Sequence, residues 1–187
     1  MSAFDFDVLI VGSGFGGSVS ALRLAEQGLK VCVLEQGRRA SEADLERAGR
    51  DARALAWASA LGRHGFLAQD VFRHLGVVRG IGVGGGSLVY AAVLLEPGPG
   101  FYADPAWASL SPDWAAELAP HYATARRMLG VTLNPHRGIQ DDWLEQTAAR
   151  MGASATFGSV PQGIYFGDSQ RFVEDPLLGG QGPARRG

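Results

Sequence analysis

The chain has 187 residues, 46% of them hydrophobic, and a formal charge of −2, a balance that suits a globular protein with a buried core. It has no basic surplus for nucleic acid, and no apolar run reaches the roughly 20 residues that a membrane span needs. Its single cysteine, Cys32, excludes an internal disulfide, and the acidic N-terminus lacks the basic start and apolar core of a secretory leader, so a cytoplasmic protein is expected.

Val8 to Val11 is an unbroken apolar run, short enough for a strand buried on both faces. Gly12, Gly14 and Gly17 follow as G-x-G-x-x-G, with Ser13 between the first two, and open a helix expected over Phe15 to Gln27. In a dinucleotide-binding turn Gly12 allows the tight exit from the strand, Gly14 lets the backbone approach a pyrophosphate, and Gly17 lets the helix lie close to the sheet. The free N–H groups of the first helical turn add an anion site. Ala21, Leu22, Leu24 and Ala25 form the packing side of the helix, and Gly28 stands where a left-handed C-terminal residue is wanted. Val31 to Leu34 is the second strand, in which Cys32 reads as a buried, inert thiol. Glu35 ends this strand 18 positions after Gly17, close to the offset of about 20 residues at which an acidic side chain holds ribose hydroxyls. The glycine spacing alone is also met in ordinary tight turns; strand, loop, helix, strand and Glu in this order point to a dinucleotide site.

Arg38 and Arg39 leave the second strand and can approach a phosphate, although a solvated turn serves Arg39 equally well. Ser41 to Leu61 has helical density, opens with a capping box at Ser41 and Asp44, and places apolar residues three or four apart, so a helix is expected through most of it. Gln69 to Val78 reads as one extended segment. It leads into a second glycine loop, where Gly80, Gly82, Gly84, Gly85 and Gly86 precede Ser87 and an apolar run. Five glycines in seven positions imply a backbone that bends sharply or lies against something flat or charged. The apolar flanks argue against a flexible linker.

The blocks FDVLIVGSGFGGSVSALRLAEQG, VLEQGRR, VGGGSLVYAAVLLEP, and WASL followed by DWAAELAPHYATARRMLGV cover most of positions 5 to 134. Together they resemble the glucose–methanol–choline (GMC) flavoprotein oxidoreductases, in their cholesterol-oxidase-like branch. The resemblance implies FAD as cofactor, with Gly12, Gly14 and Gly17 at the pyrophosphate and Glu35 on the adenosine ribose. It also implies that Gly84, Gly85, Gly86 and Ser87 pass close to the pyrophosphate and flavin. Ser13, Arg38 and Tyr90 complete the candidate cofactor-binding set. Two positions depart from the family pattern: Ile81 stands where a basic residue or Asn is usual, and Tyr90 where Asn or His is common. In cholesterol oxidases that second residue lies against the flavin; Tyr90 can pack on a ring or in the core.

Positions 96–112 carry four prolines and read as irregular structure anchored by Phe101, Tyr102 and Trp107. Asp113 to Leu129 is helical, with Trp114, Leu118, Tyr122, Ala125 and Leu129 as one buried stripe, and Pro120 is expected to split it or to open its second half. After a loop over Asn134 to Gly138, Asp142 and Glu145 open another helix that runs through Leu144, Ala148 and Met151 to Gly152. Val160 to Phe166 reads as extended, and the final GGQGPARRG has no pattern that would fold alone.

His64, His74, His121 and His136 are scattered, and the sequence contains no metal-ligand cluster and no G-x-S-x-G elbow, so no catalytic or metal residue is assigned. No second strong βαβ unit follows Glu35. The fold class expected is therefore α/β: a Rossmann-like FAD-binding βαβ unit with appended helical and loop segments, forming an incomplete doubly wound sheet. Positions 1–95 form its FAD-binding part and 96–187 an extension. The resemblance implies an N-terminal portion of an oxidoreductase that takes hydride from the CH–OH group of a small-molecule alcohol, a sterol or another hydrophobic alcohol, onto flavin, with the catalytic base beyond this chain. The alternatives are a non-catalytic nucleotide-binding fragment and a plain NAD-dependent dehydrogenase, in which the second glycine loop has no role. The oligomeric state is left open.

Overall fold

The computed structural model describes residues 4–167 and 171–174. The chain divides into two compact units, Met1–Ala91 and Ala92–Gly187. The glycine-rich end, positions 179–187, lies outside the described residues.

In the first unit the strand, helix and strand form where hydrophobic patterning puts them, as β1 (Val8–Val11), α1 (Phe15–Glu26) and β2 (Val31–Leu34). The strands pair in parallel, Val8 opposite Val31 and Val11 opposite Leu34, which requires a crossover that α1 supplies. Gly28 takes φ 85° just beyond the helix, the left-handed geometry expected of it. Ile10 faces α1, since a Cβ on Gly17 would stand 3.3 Å from its Cγ2. The opposite face does not follow expectation. Leu9 and Val11, expected to be buried, alternate to that side and are 59% and 84% exposed. Among the described residues the sheet of β1 and β2 has two strands only, and α1 covers one of its faces. On α1 itself Ala21 and Leu24 are half-buried while Leu22 and Ala25 are exposed, because two strands meet only a narrow stripe of the helix.

The helix expected through most of Ser41 to Leu61 is shorter and broken. α2 (Glu42–Arg50) begins at the anticipated capping box: Ser41 Oγ accepts from Asp44 N at 3.2 Å, and Asp44 Oδ2 accepts from Ser41 N at 3.0 Å. It stops at Asp51, whose carboxylate accepts from Arg53 N at 2.8 Å and caps a separate helix, α3 (Ala52–Leu55). A short acidic side chain that bonds its neighbouring backbone competes with the helical ladder, and apolar spacing does not reveal this. Next come β3 (Trp57–Ala58) and β4 (Arg63–His64), an antiparallel pair. β5 (Leu67–Val71) and β6 (Gly76–Gly80) then form a hairpin in place of the single extended segment, its turn closed by Phe72 N donating to Leu75 O at 2.8 Å. Phe66, 1% exposed, is the largest fully buried side chain among the described residues, with Ala48, Ala68 and Ile81 also buried.

The second unit contains α4 (Pro99–Tyr102), α5 (Trp114–Leu129), β7 (Thr132–Leu133), α6 (Ile139–Arg150) and β8 (Pro161–Gln162). Phe101 packs on Trp107 at 4.7 Å between ring centres. α5 runs unbroken through Pro120, which corrects the expected split. Its cap is Asp113, which accepts from Ala116 N at 3.0 Å. Trp114, Leu118 and Tyr122 are half-buried, but Ala125 and Leu129 of the expected stripe are exposed. α6 starts at Ile139, three residues before Asp142. Asp141 accepts from Gly138 N at 2.7 Å there, while Asp142 and Glu145 pair with Arg137 at 2.8 and 2.6 Å. The extended reading of Val160 to Phe166 contracts to β8, paired with β7. No helix of the described residues is long and apolar enough to cross a membrane.

Candidate functional site

The site is built where β1 hands over to α1. Gly12 turns the chain with φ 91°, and its N–H donates to Leu34 O at 2.7 Å, which ties the turn to the end of β2. Gly17 lies so close beneath that a Cβ would come within 2.0 Å of Gly12 O. Gly14 differs from both: its φ is −66°, and a Cβ on it would meet nothing within 4 Å. The protein itself therefore makes no use of the missing side chain at Gly14. The open space lies before the first turn of α1, whose N–H groups have no intrahelical acceptors and carry the positive end of the helix dipole.

The second glycine loop closes on the first. Gly84, at φ 111°, leads into a short 3₁₀ turn over Gly85–Leu88, and a Cβ on Gly85 would stand 2.8 Å from Gly14 Cα. Buried Ser13 fastens the two. Its hydroxyl accepts from Gly84 N at 3.0 Å and donates to Glu35 Oε2 at 2.7 Å, and its own N–H donates to the same oxygen at 2.9 Å. Glu35 Oε1 accepts from Gly37 N at 3.0 Å. The Gly37 N–H is the largest influence on the Glu35 carboxyl; against partial desolvation, it and the Ser13 donors hold the group below the ordinary carboxylate value. The Gln36 N–H adds a further, smaller lowering contribution, and with these donors Glu35 stays ionised.

Ser87 Oγ donates to Gly84 O at 2.9 Å, and Tyr90 N donates to Gly86 O at 3.1 Å. The Tyr90 ring meets Phe15 edge-on, 5.6 Å between centres, and both rings are partly exposed. Arg38 contributes its carbonyl, which accepts from Val83 N at 3.1 Å, but its guanidinium turns to Asp44 Oδ2 at 2.5 Å and lies over Phe66 at 4.9 Å. The structure thus gathers Gly12, Ser13, Gly14, Gly17, Glu35, Gly84, Gly85, Gly86, Ser87 and Tyr90 around one turn and directs the Arg38 side chain elsewhere.

Two residues outside the sequence-derived set belong to this arrangement. Phe15 supplies the ring against Tyr90, and Gly37 lets β2's exit touch the second loop, where a Cβ would come within 2.4 Å of Gly82 N. A glycine two residues after the acidic residue was the available signal for Gly37, but its partner lies 45 positions away in sequence. The donors, the ionised carboxylate and the open space at Gly14 fit a dinucleotide carrying a pyrophosphate and a ribose.

Residues 7–52 match the FAD binding domain family. Over 98% of its length the chain is 45% identical to cholesterol oxidase of Mycobacterium tuberculosis, in strains CDC 1551 / Oshkosh and ATCC 25618 / H37Rv. Over 97% of its length it is 38% identical to cholesterol oxidase of Acinetobacter baumannii. It spans about a third of these relatives, 32% and 33% of their lengths. Among solved structures, pyridoxine 4-oxidase from Mesorbium loti superposes with a TM-score of 0.58 at 20% identity, covering 87% of this chain and 37% of that one, which shows a shared fold. The cofactor of this α/β unit is FAD, and the resemblance to cholesterol-oxidase-like flavoproteins extends along nearly the whole chain.

Proposed function

We propose that this chain provides the FAD cradle of an oxidoreductase that acts on the CH–OH group of a hydrophobic, small-molecule alcohol, a sterol or a compound of similar shape. The observation that carries the reading is the junction at Ser13, where one hydroxyl links Glu35 to Gly84 and so holds both glycine loops around a single anion-accepting helix end. We assign the pyrophosphate to Gly12, Ser13, Gly14 and Gly17, and the adenosine ribose to Glu35. Gly84, Gly85, Gly86, Ser87 and Tyr90 approach the pyrophosphate and flavin. Arg38 serves through its carbonyl contact with Val83. In functional terms 1–95 is the cofactor part and 96–187 an extension of it.

When bound, FAD supplies the hydride acceptor. This chain's residues bind and orient it: the first turn of α1 meets the pyrophosphate charge, Glu35 receives ribose hydroxyl protons in hydrogen bonds, and the second loop excludes water from the same face. No residue of the chain is assigned to proton removal from the alcohol. The plain NAD-dependent reading leaves the contact between Gly85 and Gly14 without a purpose. A cytoplasmic setting accords with the lone thiol of Cys32.

The test is to mix the purified chain with FAD, remove free nucleotide by gel filtration, and record the visible flavin band. Wild type is expected to retain FAD in preference to NAD, and Gly14→Val to lose it. No retained flavin, or equal retention by the variant, overturns the reading.

A further inference from the structure

A second concentration of charge, among the described residues, lies away from the glycine loops. A surface cavity of about 230 Å³ is lined by Arg38, Asp44, Arg47, Arg53, Arg63 and His64 together with small residues, and no residue of either glycine loop lines it. Four arginines thus face one carboxylate. That carboxylate is already occupied: Asp44 Oδ2 accepts from Arg38 and from both the N–H and the hydroxyl of Ser41, and Arg47 stands 3.7 Å from Oδ1. Among the described residues Arg53 and Arg63 have no ion-pair partner, although they reach the cavity from different segments. We propose that this cavity is a phosphate site, taking the dianionic phosphoryl group of a small monoester or inorganic phosphate.

The walls are built rather than incidental. The β3–β4 hairpin is pinned over the end of α3 by Gly65 N donating to Ala56 O at 3.1 Å and Phe66 N donating to Leu55 O at 2.8 Å. Gly65 crosses so closely that a Cβ would stand 2.3 Å from Leu55 O. His64 is held edge-on against Trp57, 5.3 Å between ring centres. These contacts fix where Arg63 leaves the hairpin, and it lines the same cavity as Arg53 on α3, whose N–H is bound by Asp51. Two guanidinium groups without ion-pair partners, lining one cavity from separate segments, suit a tetrahedral oxyanion better than a carboxylate, which fills one fork with its two oxygens. The charges match as well, since two free arginines balance a group that carries about −1.5 to −2 at neutral pH. The cavity is smaller than the roughly 300–1,000 Å³ of ordinary small-molecule sites, which suits a small anion or the phosphoryl end of a monoester.

The test titrates FAD-loaded protein with inorganic phosphate by isothermal calorimetry at constant ionic strength held with chloride. Saturable binding is expected, weakened at least tenfold in Arg53→Gln/Arg63→Gln and only partly restored in Arg53→Lys/Arg63→Lys, which keeps the charge and loses the fork. Both arginines are exposed, and unchanged circular dichroism with unchanged FAD retention confirms that the variants fold. Vesicles of phosphatidylcholine with phosphatidic acid form a second arm. Co-sedimentation that free phosphate and the glutamine variant both abolish assigns the phosphoryl group to a lipid head; titration without co-sedimentation assigns it to a soluble monoester. Absence of saturable phosphate binding, equal binding by the glutamine variant, or binding seen only before FAD is loaded each overturns the proposal.

Discussion

Ser13 donates two hydrogen bonds to one oxygen of Glu35, from its N–H at 2.9 Å and from its hydroxyl at 2.7 Å. The same hydroxyl accepts from Gly84 N at 3.0 Å, so its loss leaves a part-buried N–H without an acceptor. Ser13→Ala is expected to lower stability by about 1–3 kcal/mol, read as a lower midpoint in urea, and to weaken FAD binding in parallel. An unchanged midpoint would mean that the two glycine loops are held together by other contacts.

Glu35 also makes stability depend on pH in a known direction. Its folded carboxyl lies below the ordinary value of 4.5, chiefly through the Gly37 N–H, so its contribution is fully present above that value and is lost as pH falls below it. In Glu35→Gln the ionised group is absent. The gap in urea stability between wild type and variant is therefore expected to narrow from about pH 6 to about pH 3. A gap that widens on acidification reverses the sign and refutes the account.

Two neighbouring glycines separate folding from binding. Gly17→Ala would place a Cβ 2.0 Å from Gly12 O and 3.0 Å from Gly12 C, atoms of backbone that cannot step aside. Its expected cost is at least about 2 kcal/mol. Gly14→Ala meets nothing within 4 Å at an ordinary φ, so stability should fall by less than about 1 kcal/mol. FAD retention should nevertheless weaken at least about tenfold, because the Cβ occupies the space left for the ligand. Thermal melts with and without FAD check both arms.

Pro120 sits inside α5, past its first turn, where it cannot donate to the helical ladder. Proline costs about 3 kcal/mol relative to alanine in a helix interior, while it restricts the unfolded chain by about 0.4–1 kcal/mol. Pro120→Ala is therefore expected to stabilise the chain by about 2 kcal/mol, measured by urea unfolding followed at 222 nm, where helix is lost. A loss of stability would show that Pro120 packs in a way its exposure does not suggest.

Local patterning was enough to determine β1, α1, β2, the left-handed Gly28, and the capping box at Ser41, because each depends on residues within a few positions of one another. It also placed the candidate cofactor residues along the chain. It failed where a local competitor acted inside a periodic run, as when Asp51 capped a new helix, and where tertiary context overrode a propensity, as when α5 passed through Pro120. Burial was legible least of all. Val11 has the composition of a core strand, yet its exposure of 84% depends on what lies across the sheet, and no residue of β1 specifies that. Only the tertiary structure brought Gly85 onto Gly14 and set one serine hydroxyl between Glu35 and Gly84, since a hydrogen bond spanning 71 positions is fixed by the folding of everything between its ends.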